Sequence, residues 1–212
     1  MSGIWVLYED ESLVVVDKPS GMVVDEVADQ TGAILVHRLD KDTSGVMVLA
    51  KNDLAQQGLK KQFEERKVTK KYLALVHGEM KEDQGLITTP VQRYPKDQLR
   101  SAITEWKVIK KCSISNLHVR QAGFQYSMLE LSPHTGRTHQ LRKHLKSIGH
   151  PIVSDPIYGF RKKIKDDLKL CPRLFLHAKY LEFTHPVSGE RVHFEADLPL
   201  ELQKATKSIC GE

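Results

Sequence analysis

The chain has few cysteines and no long apolar segment. Its three cysteines, Cys112, Cys171 and Cys210, are far apart and form no C-x-x-C pair, so the sequence indicates neither a disulfide framework nor a zinc knuckle. We therefore expect reduced thiols and a cytoplasmic location. No apolar run approaches the roughly 18 residues that a membrane-spanning helix needs. Because charged residues also occur among the first ten, we expect neither secretion nor membrane insertion.

The sequence also lacks the signatures of several common activities. It contains neither G-x-x-x-x-G-K-[ST] nor G-x-G-x-x-G, so no nucleotide cofactor is predicted. Its 10 histidines show no H-E-x-x-H spacing, and no metal site is predicted. The run "DTSG" at 42–45 is typical of aspartic proteases, but those enzymes need two carboxylates that share a proton, and no second copy occurs. The sequence therefore favours chemistry without a cofactor or metal.

Size and charge narrow the class of protein further. The 212 residues contain 40% hydrophobic residues, enough for one sizeable core, and no internal repeat or flexible linker marks a boundary. We therefore predict a single domain over residues 1–212. The formal net charge of +5 and the sequence pI near 9.0 favour an anionic partner, and nucleic acid before a membrane.

The first concentration of polar residues is "LVHRLDKDTSGVMVLAK" at 35–51. The run Gly45 to Ala50 predicts a buried strand, and "AILV" before it predicts the end of another. Asp40 therefore lies at a tight, partly enclosed junction between two apolar runs, where functional sites often occur. If the segment "HRLD" is extended, Arg38 and Asp40 point the same way.

A basic stripe follows this junction in the sequence. The segment "NDLAQQGLKKQFEERK" predicts a helix capped by Asn52 or Asp53, and "VTKKYLALVHG" predicts a strand that contains Tyr72. The stripe is either a solvated face or a footprint for an RNA backbone. Its members are Lys60, Lys61, Arg66, Lys67, Lys70 and Lys71.

The second polar segment runs from Pro133 to Gly159. Thr138 can cap a helix in which apolar residues recur at Leu141, Leu145 and Ile148, and Gly149 suits the end of that helix. Arg142 lies beside the apolar face of this helix, so its guanidinium can reach under the edge of the core to a buried anion. Asp40 is a candidate for that anion.

These segments together resemble the RluA-like family of RNA pseudouridine synthases. The resemblance rests on "HRLDKDTSG", "KKYLALVHG" and "HTGRTHQLRKHL…GHPIVSDPIYG", with support from "DKPSGMVV" and "PRLFLHAKYLEFTHPVSGERVHFEADLP", in the family's order over nearly the whole chain. It implies an α+β fold with a mixed, mostly antiparallel central sheet, flanking helices and a basic RNA-binding cleft. It also implies isomerisation of uridine without a cofactor. Ser154 stands where glycine is usual.

The resemblance assigns the catalytic residues. It gives the central role to Asp40, which either attacks the sugar or removes a sugar proton so that the reaction passes through a glycal. It makes Arg142 the counter-ion of that carboxylate, and it places the ring of Tyr72 on the target base. RNA contacts are expected from Arg38, His37, Arg137, Lys70 and Lys71. Arg38 would fill the space that a flipped uridine leaves, and His37 would orient the turn.

The substrate expected from this resemblance is a structured RNA, a stem-loop of tRNA or ribosomal RNA or both. We expect a monomer, because no partner other than RNA is implied. Many relatives carry an N-terminal S4 domain. Because the motif "VVVDKPSG" already ends at Gly21 in this sequence, we expect the catalytic domain to bind its RNA alone. The alternative is an RNA-binding or RNA-chaperone module that has kept the cleft and lost catalysis.

Overall fold

The structure is a computed structural model that describes residues 3–94, 96–113 and 125–211. The chain divides into two compact units. The first comprises Met1–Lys71 and His177–Asp197, and the second comprises Tyr72–Leu176 and Leu198–Glu212. The single domain expected from the sequence stays a prediction.

Ten strands and five helices lie within the described ranges. The strands are β1 (Trp5–Glu9), β2 (Leu13–Lys18), β3 (Ile34–Leu35), β4 (Ser44–Ala50), β5 (Thr69–His77), β6 (Gln84–Ile87), β7 (Thr104–Ser113), β8 (Gln125–Pro133), β9 (Leu176–Thr184) and β10 (Arg191–Glu195). The helices are α1 (Val24–Thr31), α2 (Asp53–Glu64), α3 (Gln140–Ser147), α4 (Ile164–Leu170) and α5 (Leu200–Cys210).

The first unit is built around β4, whose seven residues are all buried. Strands β2 and β3 pair with β4 in antiparallel fashion, β1 pairs with β2, and β10 pairs with β9. The start of β4 also pairs with β9 in parallel, with Ser44 opposite His177. A side chain at Gly45 would meet the backbone of Ala178, where an added Cβ would lie 2.2 Å from the carbonyl oxygen. The close approach of these strands therefore requires glycine.

The second unit is an antiparallel arrangement in which β5 from Tyr72 onward pairs with β8, β8 pairs with β7, and β7 pairs with β6. Its core is a cluster of fully buried apolar side chains that includes Leu75, Leu129, Leu145 and Phe175. Across the two units the strands are mixed and mostly antiparallel, with helices packed beside them. The predicted α+β fold class is confirmed.

The starts of α2 and α3 were both predicted from local sequence patterns, with different outcomes. Helix α2 begins as predicted, because the side chain of Asn52 accepts a hydrogen bond of 2.9 Å from the N–H of Ala55. The cap predicted for α3 is wrong. The residue before α3 is His139, which has a φ of 53° and gives no side-chain cap. Gln140 reaches back instead, and its amide oxygen accepts from the N–H of Arg137 at 3.0 Å.

Ser154 occupies a backbone conformation that favours glycine, with a φ of 58°. The serine is buried, and its hydroxyl donates a hydrogen bond of 2.6 Å to the carbonyl of Cys171. This contact satisfies the hydroxyl inside the second unit. It also offsets part of the cost of the backbone conformation.

The expectation of three reduced thiols is wrong for two of them. Cys112 on β7 and Cys210 at the end of α5 form a disulfide that joins positions 98 residues apart. The wide spacing concealed the pair, because packing of α5 against β7 brings together residues that no local motif links. Cys171 is free and buried, and its burial raises the pKa of the thiol to about 11.

Reducing this disulfide is expected to lower the stability of the protein. A cross-link that closes a loop of this length stabilises by about 4 to 5 kcal/mol in the chain-entropy model. Urea unfolding with and without dithiothreitol would measure the effect. Cys210→Ser is the control, because its midpoint should already be low and should not respond to the reductant. An unchanged midpoint for the reduced parent would contradict the stabilising role of the bridge.

Candidate active site

Asp40 lies in the loop between β3 and β4. Its carbonyl accepts a hydrogen bond of 3.1 Å from the N–H of Thr43, which closes a tight turn at the entry to β4. Exposure alternates through the preceding residues, since Arg38 is exposed, Leu39 is buried and Asp40 is half-buried. Burial of Leu39 anchors the loop and leaves Arg38 and Asp40 at the surface of the first unit.

The turn after β2 holds this loop through three hydrogen bonds. Lys18 is fully buried, and its ammonium donates to the carbonyl of Lys41 at 3.1 Å and to two carbonyls of its own turn. The N–H of Gly21 donates to the same Lys41 carbonyl at 2.9 Å, and the Ser20 hydroxyl donates to the Asp42 carbonyl at 2.8 Å. Sequence reasoning assigned no role to Lys18, although "DKPSG" was a visible signal. The turn fixes the backbone immediately after Asp40.

The far end of the loop is fixed by a buried pair, the hydroxyl of Ser44 and the ring of His177. Nδ1 of His177 lies 2.9 Å from the Ser44 hydroxyl, and Nε2 lies 3.1 Å from the carbonyl of Ala196. Because a carbonyl only accepts, Nε2 carries the proton, and in the neutral ring Nδ1 accepts from Ser44. The loop is therefore held at both ends.

His37 packs against the first unit and does not lie free in the loop. Its Nε2 accepts a hydrogen bond of 3.2 Å from the N–H of Val48, and its ring stacks on Phe63 at 4.5 Å between centroids. Burial, followed by the nearby charge of Lys70, lowers the pKa of His37 to about 3. The ring is therefore neutral at physiological pH, with its proton on Nδ1.

The two predicted lysines lie at the start of β5. Burial lowers the pKa of Lys70 to about 8. The ammonium of Lys71 lies 5.8 Å from the ring centroid of Tyr180, a cation–π distance. Elsewhere in the predicted basic stripe, Glu65 pairs with Lys61 at 4.0 Å and with Lys67 at 2.7 Å. The negative charge of Glu65, at the end of α2, therefore partly neutralises the stripe.

In the second unit, Arg142 is 2% exposed and lies on α3. Its Nε and Nη2 each donate a 2.8 Å hydrogen bond to the carboxylate of Asp155. The guanidinium thus binds a buried anion, Asp155, that sequence reasoning had not named. The predicted pairing of Arg142 with Asp40 stays a prediction. Burial pushes the pKa of Asp155 upward, but the hydrogen bonds and charge of Arg142, with two backbone N–H groups, hold it below its ordinary value.

Asp155 also organises the loop that follows it. Its Oδ1 accepts from the N–H groups of Ile157 and Tyr158, each at 2.9 Å, which folds "DPIY" around the carboxylate. The ring of Tyr158 lies 5.2 Å from Cζ of Arg142, and its hydroxyl lies 3.1 Å from Nδ1 of His139. The buried guanidinium is thus bound by a carboxylate and covered by an aromatic ring.

The remaining predicted residues also lie in the second unit. Tyr72 is half-buried on β5 and pairs in register with Leu131 of β8. Arg137 is half-buried before α3, and its Nε donates to the carbonyl of Ser101 at 3.3 Å. Asp40, His37, Arg38, Lys70 and Lys71 belong to the first unit, and Tyr72, Arg137 and Arg142 to the second. Their participation in one reaction stays a prediction.

No helix within residues 3–94, 96–113 and 125–211 is both long and apolar enough to cross a bilayer. The same ranges contain no group of three or more His, Cys, Asp or Glu side chains arranged to hold a metal ion.

The family profile described as RNA pseudouridylate synthase matches residues 12–147, a range that contains Asp40, Tyr72 and Arg142. The chain belongs to the RNA pseudouridylate synthase family. Enzymes of this family are isomerases that convert uridine in RNA to pseudouridine. The resemblance carried by "HRLDKDTSG" and the later motifs is thereby confirmed at the level of the family.

Curated relatives and solved structures agree with this membership. The chain is 37% identical to an uncharacterized RNA pseudouridine synthase of Bacillus subtilis, over 96% of this chain and 72% of the relative. It is 36% identical to ribosomal large subunit pseudouridine synthase D of Nitrosomonas europaea, over 96% of this chain and 64% of that protein. The structure of human RNA pseudouridylate synthase domain containing 1 superposes with a TM-score of 0.80 at 28% identity, over 96% of this chain and 87% of that one.

Proposed function

We propose that this protein converts specific uridines in structured RNA to pseudouridine, as a cytoplasmic monomer that needs no cofactor. The observation that carries the proposal is Asp40, a half-buried carboxylate in a loop whose backbone is held by Lys18, Ser20 and Gly21. The relative from Nitrosomonas europaea is named for the large ribosomal subunit, which supports ribosomal RNA as the first substrate to test. A tRNA stem-loop is the second.

The reaction exchanges one glycosidic bond for another. The bond between N1 of uracil and C1′ of ribose breaks, the base turns, a bond from C5 to C1′ forms, the proton on C5 leaves, and N1 takes up a proton. No electrons are gained or lost. Asp40 acts either as a nucleophile at C1′ or as a base that removes a sugar proton and gives a glycal. Both roles require an ionised carboxylate on a fixed backbone.

Arg142 and Tyr72 support this reaction in the proposal. Arg142 is the counter-ion of the Asp40 carboxylate, since an unpaired charge in an enclosed site costs several kcal/mol. The bidentate contact with Asp155 supports this role because it fixes the plane of the guanidinium. Tyr72 offers its ring face to the target base. Arg137, Lys70 and Lys71 are assigned to phosphates, and His37 to positioning the loop.

Pseudouridine mapping tests the proposal in cells. Ribosomal RNA and tRNA from a strain that lacks this gene should lose one or more pseudouridines that the parent strain carries. Reintroducing the gene should restore them, and a gene that encodes Asp40→Asn should not. If the RNA is bound but no site depends on the gene, the chain is a silent RNA-binding module and the proposal fails.

Arg38→Ala is expected to impair the step that extrudes the base. Arg38 is exposed and lies two residues before Asp40, so its side chain can occupy the stack that the uridine leaves. Extrusion costs a few kcal/mol in a paired context and less in an unstructured RNA. The loss of turnover should therefore be larger on a folded stem-loop than on a short unstructured RNA with the same target uridine.

Lys41→Ala is the matched control for this comparison, because it removes an exposed cation from the same loop. Its effect should be the same on both RNAs. Equal losses for Arg38→Ala on the folded and unstructured RNAs would mean that Arg38 positions Asp40 or a phosphate, and the role in base flipping would have to be withdrawn.

A further inference from the structure

A second cationic region lies in the second unit and shares no residue with the basic stripe that the sequence suggested. It is built on Phe160, whose ring lies 4.7 Å from the ammonium of Lys146 on α3 and 5.3 Å from the ammonium of Lys163. The same ring meets His77 edge-on at 5.2 Å between centroids. Phe160 thus anchors the segment before α4 to the core of the unit and gathers cations around it.

The charges of this region are largely uncompensated. We name it the 146–165 surface, and its members are Lys146, Arg161, Lys162, Lys163 and Lys165. Lys146, Arg161, Lys162 and Lys165 are exposed, and none of these four forms an ion pair with any residue in the described part of the chain. The acids next in sequence are engaged otherwise, since Asp166 binds Lys169 at 2.8 Å and the buried Asp167 binds His77 at 3.0 Å.

Such an arrangement differs from an ordinary solvated face. In the first unit, Glu65 offsets two cations of the basic stripe, Lys61 and Lys67. On the 146–165 surface, four exposed cations have no such offset, which produces a local positive potential that attracts a polyanion. Membership of an RNA-modifying family favours RNA over a membrane surface as this polyanion. Because Ile148 and Ile157 in the same range are 37% and 60% exposed and peripheral membrane binding uses apolar side chains that insert, anionic vesicles are tested beside RNA.

We propose that the 146–165 surface binds the phosphodiester backbone of the substrate RNA, outside the target nucleotide. The proposal rests on the proposed function for the identity of the polyanion, and it adds a binding surface to the residues assigned above. Contacts of this kind carry no base sequence information. They set the register of a structured RNA on the protein and contribute a salt-dependent share of its affinity.

The test compares two triple variants that lose the same charge. Arg161→Ala, Lys162→Ala and Lys165→Ala are combined in one protein, and Lys81→Ala, Lys107→Ala and Lys204→Ala in the control, all at exposed positions of the second unit. Fluorescence anisotropy with a ribosomal stem-loop over a salt series gives the slope of log K against log salt. The slope of the first variant should become shallower by about 2 to 3, since each lost phosphate contact removes about 0.7 to 0.9. The control slope should match that of the parent.

Three outcomes would overturn the proposal. These are an equal change in both triple variants, an unchanged slope in the first, or a loss of affinity for anionic vesicles without a loss for RNA. Thermal unfolding of both variants establishes that each is folded. A version with Arg161→Lys, Lys162→Arg and Lys165→Arg should restore the parental slope. Conversion of uridine by the parent is measured separately, so a protein that binds RNA through this surface without catalysis would refute the proposed function and not this inference.

Discussion

Asp40→Asn is expected to abolish conversion of uridine while leaving RNA affinity within about tenfold of the parent. The amide keeps the shape of the side chain but can neither attack the sugar as a nucleophile nor remove a proton from it. The backbone of the loop should be unaffected, because the hydrogen bonds that hold it come from Lys18, Gly21 and Ser20 to main-chain carbonyls. Single-turnover conversion and equilibrium binding on one stem-loop measure the two effects.

Asp42→Asn is the matched control for this variant. Asp42 is half-buried in the same turn, and the contact with Ser20 uses its carbonyl and not its carboxylate. The control should retain parental turnover within a few-fold. Residual isomerisation by pure Asp40→Asn close to the parental rate would remove Asp40 from the central role. Loss of activity in both variants would point to the fold of the turn.

Arg142→Met should be inactive and also less stable than the parent. The Asp155 side chain is 0% exposed and would lose both hydrogen bonds from the guanidinium. Removal of one partner from a buried ion pair costs about 3 to 5 kcal/mol because the other charge stays behind. Chemical unfolding at neutral pH measures this loss, and the conversion assay measures activity.

The pH dependence of the stability of Arg142→Met separates the cost of the unpaired Asp155 charge from the cost of lost packing. In the parent, the lowered pKa of Asp155 contributes stability above the ordinary value of 3.8, and that contribution is lost as the pH falls through the folded pKa. Without Arg142, burial favours the protonated acid, so acidification should relieve the defect. The difference in unfolding free energy between parent and variant should therefore shrink toward acid pH.

A double variant, Arg142→Met with Asp155→Leu, is the control for this prediction. Replacing both partners of a buried pair by apolar side chains is often nearly neutral, so much of the stability should return. Activity should not return, because the guanidinium is still missing. A stable Arg142→Met protein, or an active double variant, would contradict the account of this pair.

The elements that the sequence predicted well are those set by local patterns. The run Gly45 to Ala50 became the buried strand β4, because six consecutive small or apolar residues can pack on both faces of a sheet. The helix after Asn52 began where its cap was placed, because an N-cap acts over three residues. Family motifs then located Asp40, which periodicity alone could not have singled out.

The features that the sequence did not predict depend on contacts between distant residues. Lys18 reaches a carbonyl 23 positions away, and the disulfide joins cysteines 98 positions apart. Asp155 binds Arg142, which lies 13 positions earlier in the chain and in a helix. The start of α3 was misplaced for a related reason, because the side chain of Gln140, and not that of Thr138, satisfies the turn before the helix. Tertiary packing determines which of these residues meet, and sequence spacing does not predict it.

The most direct test of the central claim is release of the hydrogen at C5 of uracil by the purified protein. A ribosomal stem-loop or tRNA transcript labelled with tritium at C5 of its uridines would be incubated with the parent and with Asp40→Asn. Formation of the C5 to C1′ bond displaces that hydrogen, so the parent should release tritium into water in proportion to the pseudouridine formed, and Asp40→Asn should release none. RNA binding by the parent without tritium release from any of these RNAs, or equal release by both proteins, would contradict the account.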